Sequence, residues 1–268
     1  MSPVSTWEPV DRRVLAALVF TDPLGHTLRS AVSVRALSPG VRLFTAHAGK
    51  VVVAAAPGLM AWTAFDLPAG GLTPALGSVD VVLDIRPADP TLGARRFTLK
   101  LPRDPEASGA TPAATPVVVP LFSAPSGVPL GLTAAVRVSL RRVADGNAIE
   151  HGLVRLRPDN LPEQYAITDA AGEALFLVAG VPLTSPAAGA TVKPDIGGAV
   201  DAIVDPALAL FHAPAALTAA RLASRTRFSG FVDPGDVVAR LSAKATAPMD
   251  VRLACGQTTT ASIDWAQS

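Results

Sequence analysis

Short segments in which apolar and polar residues alternate recur along the chain. A period of two between Pro and Gly residues is typical of β-strands that bury one face. The clearest predicted strands lie at residues 31–36, 50–55, 79–85, 95–101, 135–143, 153–157, 173–178 and 249–254. Because most intervening segments are too short for a crossover helix, the pattern favours antiparallel sheets over parallel α/β units.

Helical periodicity is weak by comparison. The best candidate is the segment PAALTAARLAS at residues 214–224, in which Leu217, Ala220 and Leu222 are only loosely spaced. The prediction is therefore an all-β protein with at most one short helix in this segment.

The alternation stops at residues 102–116, where Pro, Ala, Thr and Ser dominate. Segments of this composition form extended linkers. We predict two antiparallel β-sandwich domains of transthyretin-like or immunoglobulin-like type, at residues 1–105 and 117–268, joined by a Pro-rich linker at 106–116. A second Pro- and Gly-rich stretch at 180–198 predicts a long loop inserted in the C-terminal domain, and such loops are commonly functional.

Composition narrows the classes of partner. The 268 residues are 49% hydrophobic, which is enough for two buried cores. The net charge is +1, and Lys and Arg are scattered along the chain instead of clustered. Nucleic acid is therefore not a predicted partner, because binding it requires neutralising several phosphates.

The N-terminal sequence MSPVSTWEPVDRR lacks the basic start and apolar stretch of an export signal, and the apolar run at 14–20 is too short to span a bilayer. We predict synthesis in the cytoplasm without a signal peptide, and no membrane insertion. If the protein acts outside the cell, it must leave as part of a larger particle or by another route.

The two halves of the chain share a layout of a strand, a turn with Gly, a strand and a second turn. Thr45 and Gly49 in the first half match Thr168 and Gly172 in the second. The second half reads T-D-x-x-G, which is either a ligand loop or a tight turn. The turn is favoured, since Asp169 alone supplies too few oxygens for a calcium loop.

This layout resembles the transthyretin-like sandwich of carboxypeptidase regulatory-like domains. The resemblance implies that Thr168 to Gly172 form a hairpin turn and that Glu173 to Val178 form the returning strand. The wider order, a β domain, a Pro-rich bridge and then the T-D-x-x-G sandwich, is similar to uncharacterised proteins encoded beside contractile phage tails and contractile injection systems. That resemblance implies a particle component whose partners include sheath, tube or baseplate proteins.

Sequence motifs for catalysis are lacking. The four His residues show no metal-binding spacing, Cys255 has no disulfide partner or visible catalytic His, and no nucleophile elbow or phosphate loop occurs. Glu150 and His151 are adjacent, and adjacent residues on a strand point to opposite faces unless the strand bulges. No catalytic residue, metal site or cofactor is predicted.

Paired carboxylates offer a further lead. Asp201 with Asp205, or Asp233 with Asp236, could converge on a ligand. The D-P-G sequence at 233–235 instead favours a turn, and predicts a hairpin between Phe231 and Val237.

Two Trp residues lie near the chain ends. Trp7 and Trp265 each either pack against their own domain or anchor a neighbouring subunit, and we take them as the candidate interface residues. The predicted function is thus that of a non-enzymatic structural component of a large assembly, with homo-oligomers an additional possibility. The alternatives are a ligand-binding or adhesive module that recognises glycan or protein through the 180–198 loop, and an accessory domain of an enzyme on another chain.

Overall fold

The computed structural model describes residues 14–46, 49–59, 74–103, 115–127, 133–181, 195–213, 232–235, 237 and 245–266. The described residues are essentially all β, with α-helical conformation confined to residues 234, 235 and 237. The predicted all-β fold class is confirmed. The helix predicted at 214–224 and nearly all of the predicted linker lie outside the described residues.

The described part of the chain contains sixteen strands. In order they are β1 Ala16–Thr21, β2 Val32–Ala36, β3 Arg42–Thr45, β4 Val51–Ala55, β5 Val79–Pro87, β6 Arg95–Leu101, β7 Val117–Pro120, β8 Ala134–Arg142, β9 Ala148–Glu150, β10 Leu153–Pro158, β11 Gln164–Ile167, β12 Glu173–Val178, β13 Asp195–Ile203, β14 Leu210–His212, β15 Met249–Ala254 and β16 Thr258–Trp265.

Contacts divide the chain into two compact units, each built from several segments. One contains Met1–Val19, Arg35–Val82 and Thr98–Val118, and the other contains Phe20–Val34, Leu83–Phe97 and Val119–Ser268. The domain boundaries expected from composition stay a prediction.

Seven strands from the first half of the chain form two sheets, in the orders β3-β4-β1-β7 and β2-β5-β6. Strand β5 shows why the sequence folds this way: Val81, Leu83 and Ile85 are fully buried and alternate with more exposed residues. On the outward face, Asp84 pairs with Arg96 of β6 at 2.9 Å. Alternation thus supplies a buried face and a charged face to the same strand.

The second half also forms two sheets. One has the antiparallel order β11-β10-β13-β15, and the other has the order β12-β8-β9-β14 with β16 beside β8. Apolar residues from both sheets form one core cluster, which includes Val136, Leu156, Phe176, Val200 and Leu253. This is the arrangement of a β-sandwich.

One pairing departs from the antiparallel prediction. Strand β16 runs parallel to β8, from Thr258 beside Ala135 to Trp265 beside Arg142. The preceding strand, β15, belongs to the opposite sheet, so the chain changes sheets at the turn around Gly256 before β16 begins. A period of two predicts the faces of a strand but not the direction of its neighbour.

The T-D-x-x-G segment forms a tight turn. Asp169 Oδ1 accepts hydrogen bonds from the backbone N–H groups of Ala171 (2.8 Å) and Glu173 (3.0 Å), and Gly172 has φ +70°. The returning strand spans Glu173–Val178 as predicted. The predicted hairpin is wrong, because β11 pairs with β10 in one sheet and β12 pairs with β8 in the other. The turn therefore links the two layers of the sandwich.

The same turn occurs at residues 21–25, which also read T-D-x-x-G. Asp22 Oδ1 accepts from the N–H groups of Leu24 (2.9 Å) and His26 (2.8 Å), and Gly25 has φ +86°. The segment matched in the sequence, Thr45 to Gly49, lies between β3 and β4, which pair antiparallel with Thr45 opposite Val51, and Gly49 has φ +71°. The first-half copy of the Asp-capped turn is therefore at residues 21–25, and not at residues 45–49 as the spacing predicted.

Two loop predictions need correction. Residues 195–198, the end of the predicted 180–198 loop, belong to β13, and residues 182–194 lie outside the described part. The D-P-G segment does not form the predicted hairpin: Val237 N–H donates to Asp233 O at 3.3 Å, as in a helical turn. Asp233 Oδ1 also accepts from Gly235 N–H at 3.0 Å, so its side chain caps this turn.

Candidate functional site

Trp265 packs inside its own unit, which is one of the two arrangements that the sequence allows. Its side chain is 6% exposed, and its ring stacks on Phe211 with centroids 6.1 Å apart. The guanidinium of Arg142 lies 4.2 Å from the centroid of Phe211 on this stack. Trp265 therefore presents little surface to another chain. Trp7 lies outside the described residues, and its interface role stays a prediction.

Glu150 and His151 meet although they are neighbours in sequence. At the end of β9, the backbone of His151 adopts φ +68°, a conformation that residues other than Gly rarely adopt. His151 Nε2 lies 3.6 Å from Glu150 Oε1, and its Nδ1 lies 3.1 Å from the carbonyl oxygen of Leu208. The expectation of opposite faces is wrong here because the left-handed residue breaks the strand geometry.

His212 completes a cluster of three titratable side chains. Its Nε2 lies 2.6 Å from Glu150 Oε2, and the Glu150 side chain is almost completely buried. Strand β14, which carries His212, pairs with β9, which carries Glu150. His212 therefore holds the carboxylate where the two short strands join, whereas His151 Nε2 is buried near Glu150 without a hydrogen bond to any described residue. Within the described ranges, no group of three His, Cys, Asp or Glu side chains could hold a metal ion.

The candidate carboxylate pairs have separate partners. Asp201 is buried and receives two hydrogen bonds from Arg155, at 2.8 and 2.6 Å, and one from Arg157 at 2.8 Å. These hydrogen bonds raise the pKa of Arg155. Asp205 Oδ1 instead accepts from the backbone of Ala207, and Asp233 pairs with Arg95. Asp236 is outside the described residues. Cys255 packs partly buried against the core.

A groove of about 720 Å³ lies on the outer face of the sheet β11-β10-β13-β15. We call it the β13 groove, because Gly197, Gly198 and Ala199 of that strand line it. The other lining residues are Arg157, Asp159, Asp195, Pro248, Asp250, Val251 and Arg252. Sequence patterns did not predict this site, because Gly197 and Gly198 were expected to lie in a loop instead of a strand.

Large apolar side chains are exposed at the edges of the sheets. Three of the six such side chains in the described part of the chain lie on strands that end a sheet: Phe44 on β3 is 59% exposed, Val118 on β7 is 58% exposed and Leu210 on β14 is 47% exposed. Natural proteins commonly protect edge strands with charges, Pro or bulges. Apolar groups at three edges therefore stand out as candidate contact points.

In the buried turn at Asp169, the effect of the carboxylate charge on stability can be distinguished from the effect of its hydrogen bonds. Burial raises the pKa of Asp169, against the opposing effect of the backbone N–H groups that donate to it. The folded protein then binds the proton more tightly than the unfolded chain. This contribution to stability is fully present below the unfolded pKa of about 3.9 and is lost as the pH rises through the folded pKa.

Asp169→Asn keeps an acceptor oxygen and removes the charge. We expect it to equal or exceed the wild type in stability at pH 7, by less than about 1 kcal/mol, with the difference vanishing near pH 3. Asp169→Ala loses both hydrogen bonds and should cost about 1–2 kcal/mol. Urea unfolding at the two pH values measures this. A clear loss of stability in Asp169→Asn at pH 7 would contradict it.

Comparisons with known proteins add little. No protein-family model and no curated protein matches the chain. Among solved structures, the Bacillus anthracis TIE protein is similar over 95% of this chain, with 10% identity and a TM-score of 0.28, and the chain spans 34% of its length. In the described residues, no helix has the length and apolar character needed to cross a membrane.

Proposed function

We propose that the protein is a non-enzymatic structural component of a large protein assembly, joined to neighbouring subunits through the edges of its sheets. The observation that carries the proposal is the exposed apolar side chain on each of the edge strands β3, β7 and β14. The mechanism is strand addition, in which backbone hydrogen bonds supply affinity and side-chain contacts supply specificity.

The sheet β3-β4-β1-β7 offers the best contact of this kind. Its two outermost strands carry Phe44 and Val118, so both edges of one sheet present an apolar group. A strand added at either edge would pair with the backbone and cover part of that side chain. Burying an aromatic ring and a β-branched side chain in this way contributes favourable apolar transfer energy.

The kind of particle is also part of the proposal. The order of a first β domain, a Pro-rich bridge and a T-D-x-x-G sandwich supports a contractile phage-tail-like or injection-system particle. Sheath, tube or baseplate proteins would then be the partners, and copies of this chain could also contact one another. In this proposal the protein is made in the cytoplasm and leaves the cell only within the particle.

The test is sedimentation of the high-molecular-mass fraction from the cells that encode the protein, with the chain quantified by mass spectrometry. We expect a constant ratio to sheath and tube proteins. The variant Phe44→Lys/Val118→Lys should reduce the particle-bound fraction by about tenfold or more, since losing two central apolar contacts typically costs at least that much affinity.

The matched control is Leu37→Lys/Leu76→Lys, which alters two exposed apolar residues that lie outside the strands. It should sediment like the wild type. Equal loss in both variants would mean that the edges have no special role, and recovery of the wild type only in the soluble fraction would overturn the assembly proposal.

A ligand-binding or adhesive module is the second candidate, and the β13 groove favours it. A volume of about 720 Å³ falls within the range of small-molecule sites. Its lining residues Asp195, Gly197 and Gly198 also lie at the end of the 180–198 segment that was predicted to recognise a ligand. Binding to glycans or proteins that is lost on substituting groove residues, in a protein absent from particles, would support this candidate.

A further inference from the structure

The β13 groove has a floor of small residues between two charged rims. Core packing of Val200 and Ala202 fixes the opposite face of β13, so Asp195, Gly197 and Ala199 face outward. Register places Arg157 of β10 and Asp250 of β15 on either side of Ala199. Asp159, whose N–H donates to Gly197 O, and Arg252 lie on either side of Gly197. Each rim therefore carries one cation and one carboxylate.

Gly197 leaves space on this floor for the Asp159 carboxylate. A Cβ at this position would lie 2.5 Å from Asp159 Oδ2, closer than real Cβ atoms come to other heavy atoms. The Asp159 carboxylate thus occupies space above the floor that any other residue at 197 would fill. Glycine within a strand commonly marks a place where a ligand or another backbone approaches closely.

Ion pairs within the sheet already engage both arginines of the rims. Arg157 Nη2 lies 2.8 Å from Asp201 Oδ2, and Arg252 Nη1 lies 2.8 Å from Asp195 Oδ2. Asp159 and Asp250 have no ion pair within the part of the chain that the structure describes. The charge that the groove offers to a ligand is therefore negative, one carboxylate on each rim.

The geometry points to a basic peptide segment as the ligand of the β13 groove: we propose that an extended partner chain lies along the floor and places Lys or Arg side chains on Asp159 and Asp250. Strand β13 lies between the backbones of Asp159, which directly follows β10, and Asp250, which lies on β15. Within the described residues no group of three His, Cys, Asp or Glu side chains could hold a metal ion, whereas Lys and Arg side chains are long enough to reach both carboxylates from a chain above the floor.

Two other ligand classes fit less well. An anion would have to displace Asp201 or Asp195 from an arginine while lying beside Asp159 and Asp250. A sugar chain commonly stacks on aromatic rings, and none of the lining residues is aromatic. The small floor of Gly197, Gly198 and Ala199 leaves room for an extended peptide, because none of these three residues has a long side chain, and the Asp159 carboxylate above Gly197 is itself one of the proposed contacts.

This inference does not depend on the edge-strand assembly. The probe is a fluorescein-labelled heptapeptide in which Lys and Gly alternate, compared with the same peptide carrying Glu in place of Lys. We expect fluorescence anisotropy to show binding of the Lys peptide at low salt, weakened about fivefold or more at 0.5 M salt, and no binding of the Glu peptide.

The variant Asp159→Asn/Asp250→Asn should weaken binding of the Lys peptide about tenfold, which corresponds to 1.4 kcal/mol. Gly197→Val should also weaken it while both carboxylates remain, because its side chain takes the space of Asp159. The control Asp264→Asn removes an exposed carboxylate from β16, and should bind like the wild type. Thermal unfolding of each variant checks that the sandwich is intact.

Three results would overturn the proposal: undiminished binding by the double variant, an equal loss in Asp264→Asn, or preference for the Glu peptide or a neutral oligosaccharide. Sedimentation with the particle tests the other proposal separately. Asp159→Asn/Asp250→Asn should still cosediment, since the three edge strands that carry the assembly proposal, β3, β7 and β14, are unchanged.

Discussion

Gly172→Ala is expected to destabilise the protein by about 3 kcal/mol or more, whereas Gly25→Ala should cost about 1 kcal/mol. The two glycines occupy the same position of the same turn. Each follows an Asp whose carboxylate accepts two backbone hydrogen bonds, and each has positive φ. The backbone cost of adding a Cβ is therefore similar at both sites.

The surroundings of the two turns make the difference. A Cβ at Gly172 would lie 2.5 Å from the carbonyl oxygen of Leu140 and 3.1 Å from the backbone nitrogen of Ile149. Both are backbone atoms that cannot rotate away as a side chain could. A Cβ at Gly25 would meet nothing within 4 Å. Gly172→Ala must therefore displace β8 or β9, and Gly25→Ala displaces nothing.

Urea unfolding followed by circular dichroism measures the comparison. Gly146→Ala serves as a further control, because Gly146 has φ +69° and a Cβ there would also meet nothing within 4 Å. It should behave like Gly25→Ala. Similar losses in all three variants would show that backbone conformation alone sets the cost, and that close packing around Gly172 contributes little.

The sequence predicted strands well wherever one face is buried and alternation is regular. The strand expected at 173–178 is found at Glu173–Val178, and that expected at 135–143 is found at Ala134–Arg142. Strand β13 was missed because Gly197 and Gly198 resemble a loop in composition. Its inward positions Ile196, Val200 and Ala202 still alternate, and the alternation is interrupted only at Gly198.

The candidate sites were harder to predict because they depend on backbone conformation and on distant contacts. Glu150 meets His151 only because His151 has positive φ, and no rule based on strand periodicity anticipates that conformation. His212 reaches Glu150 across 62 positions of sequence. Spacing matches Thr45 and Gly49 to Thr168 and Gly172, but the Asp cap of that turn recurs at residues 21–25, because the cap depends on an Asp three residues before the Gly and not on the distance between turns.

The most buried ion pair of the described chain had no local sequence signal at all. Arg95, which is 5% exposed, lies between the rings of Phe97 and Phe122, with its guanidinium carbon 5.6 and 5.1 Å from their centroids. Its Nη1 donates to Pro120 O at 2.7 Å, and its Nη2 lies 3.6 Å from Asp233 Oδ1. The start of β6 is thereby attached to the helical turn at residue 233.

Burial lowers the pKa of Arg95 to about 10, and the charge of Asp233 opposes that shift. The folded protein binds this proton less tightly than the unfolded chain. Stability from this group is therefore present above the ordinary pKa of an arginine side chain and is lost as the pH falls through about 10. At pH 7 the charged guanidinium is costly to bury, and Asp233 offsets part of that cost.

Asp233→Asn is accordingly expected to lower stability by about 3 kcal/mol at pH 7, because it leaves a buried charge without its counter-ion. Asn retains an acceptor for Gly235 N–H, so the expected loss of stability does not come from disrupting the turn. The double variant Arg95→Met/Asp233→Asn should be only about 1 kcal/mol less stable than the wild type, since an apolar side chain fits between Phe97 and Phe122.

The pH dependence distinguishes a charge effect from a packing effect. Without Asp233, Arg95 loses its proton more easily, so the gap between Asp233→Asn and the double variant should narrow as the pH rises from 7 to 10. Urea unfolding at these two pH values measures the gap. A stability difference between the two variants that stays constant with pH would mean that the pair acts through packing and not through charge, because packing defects do not titrate.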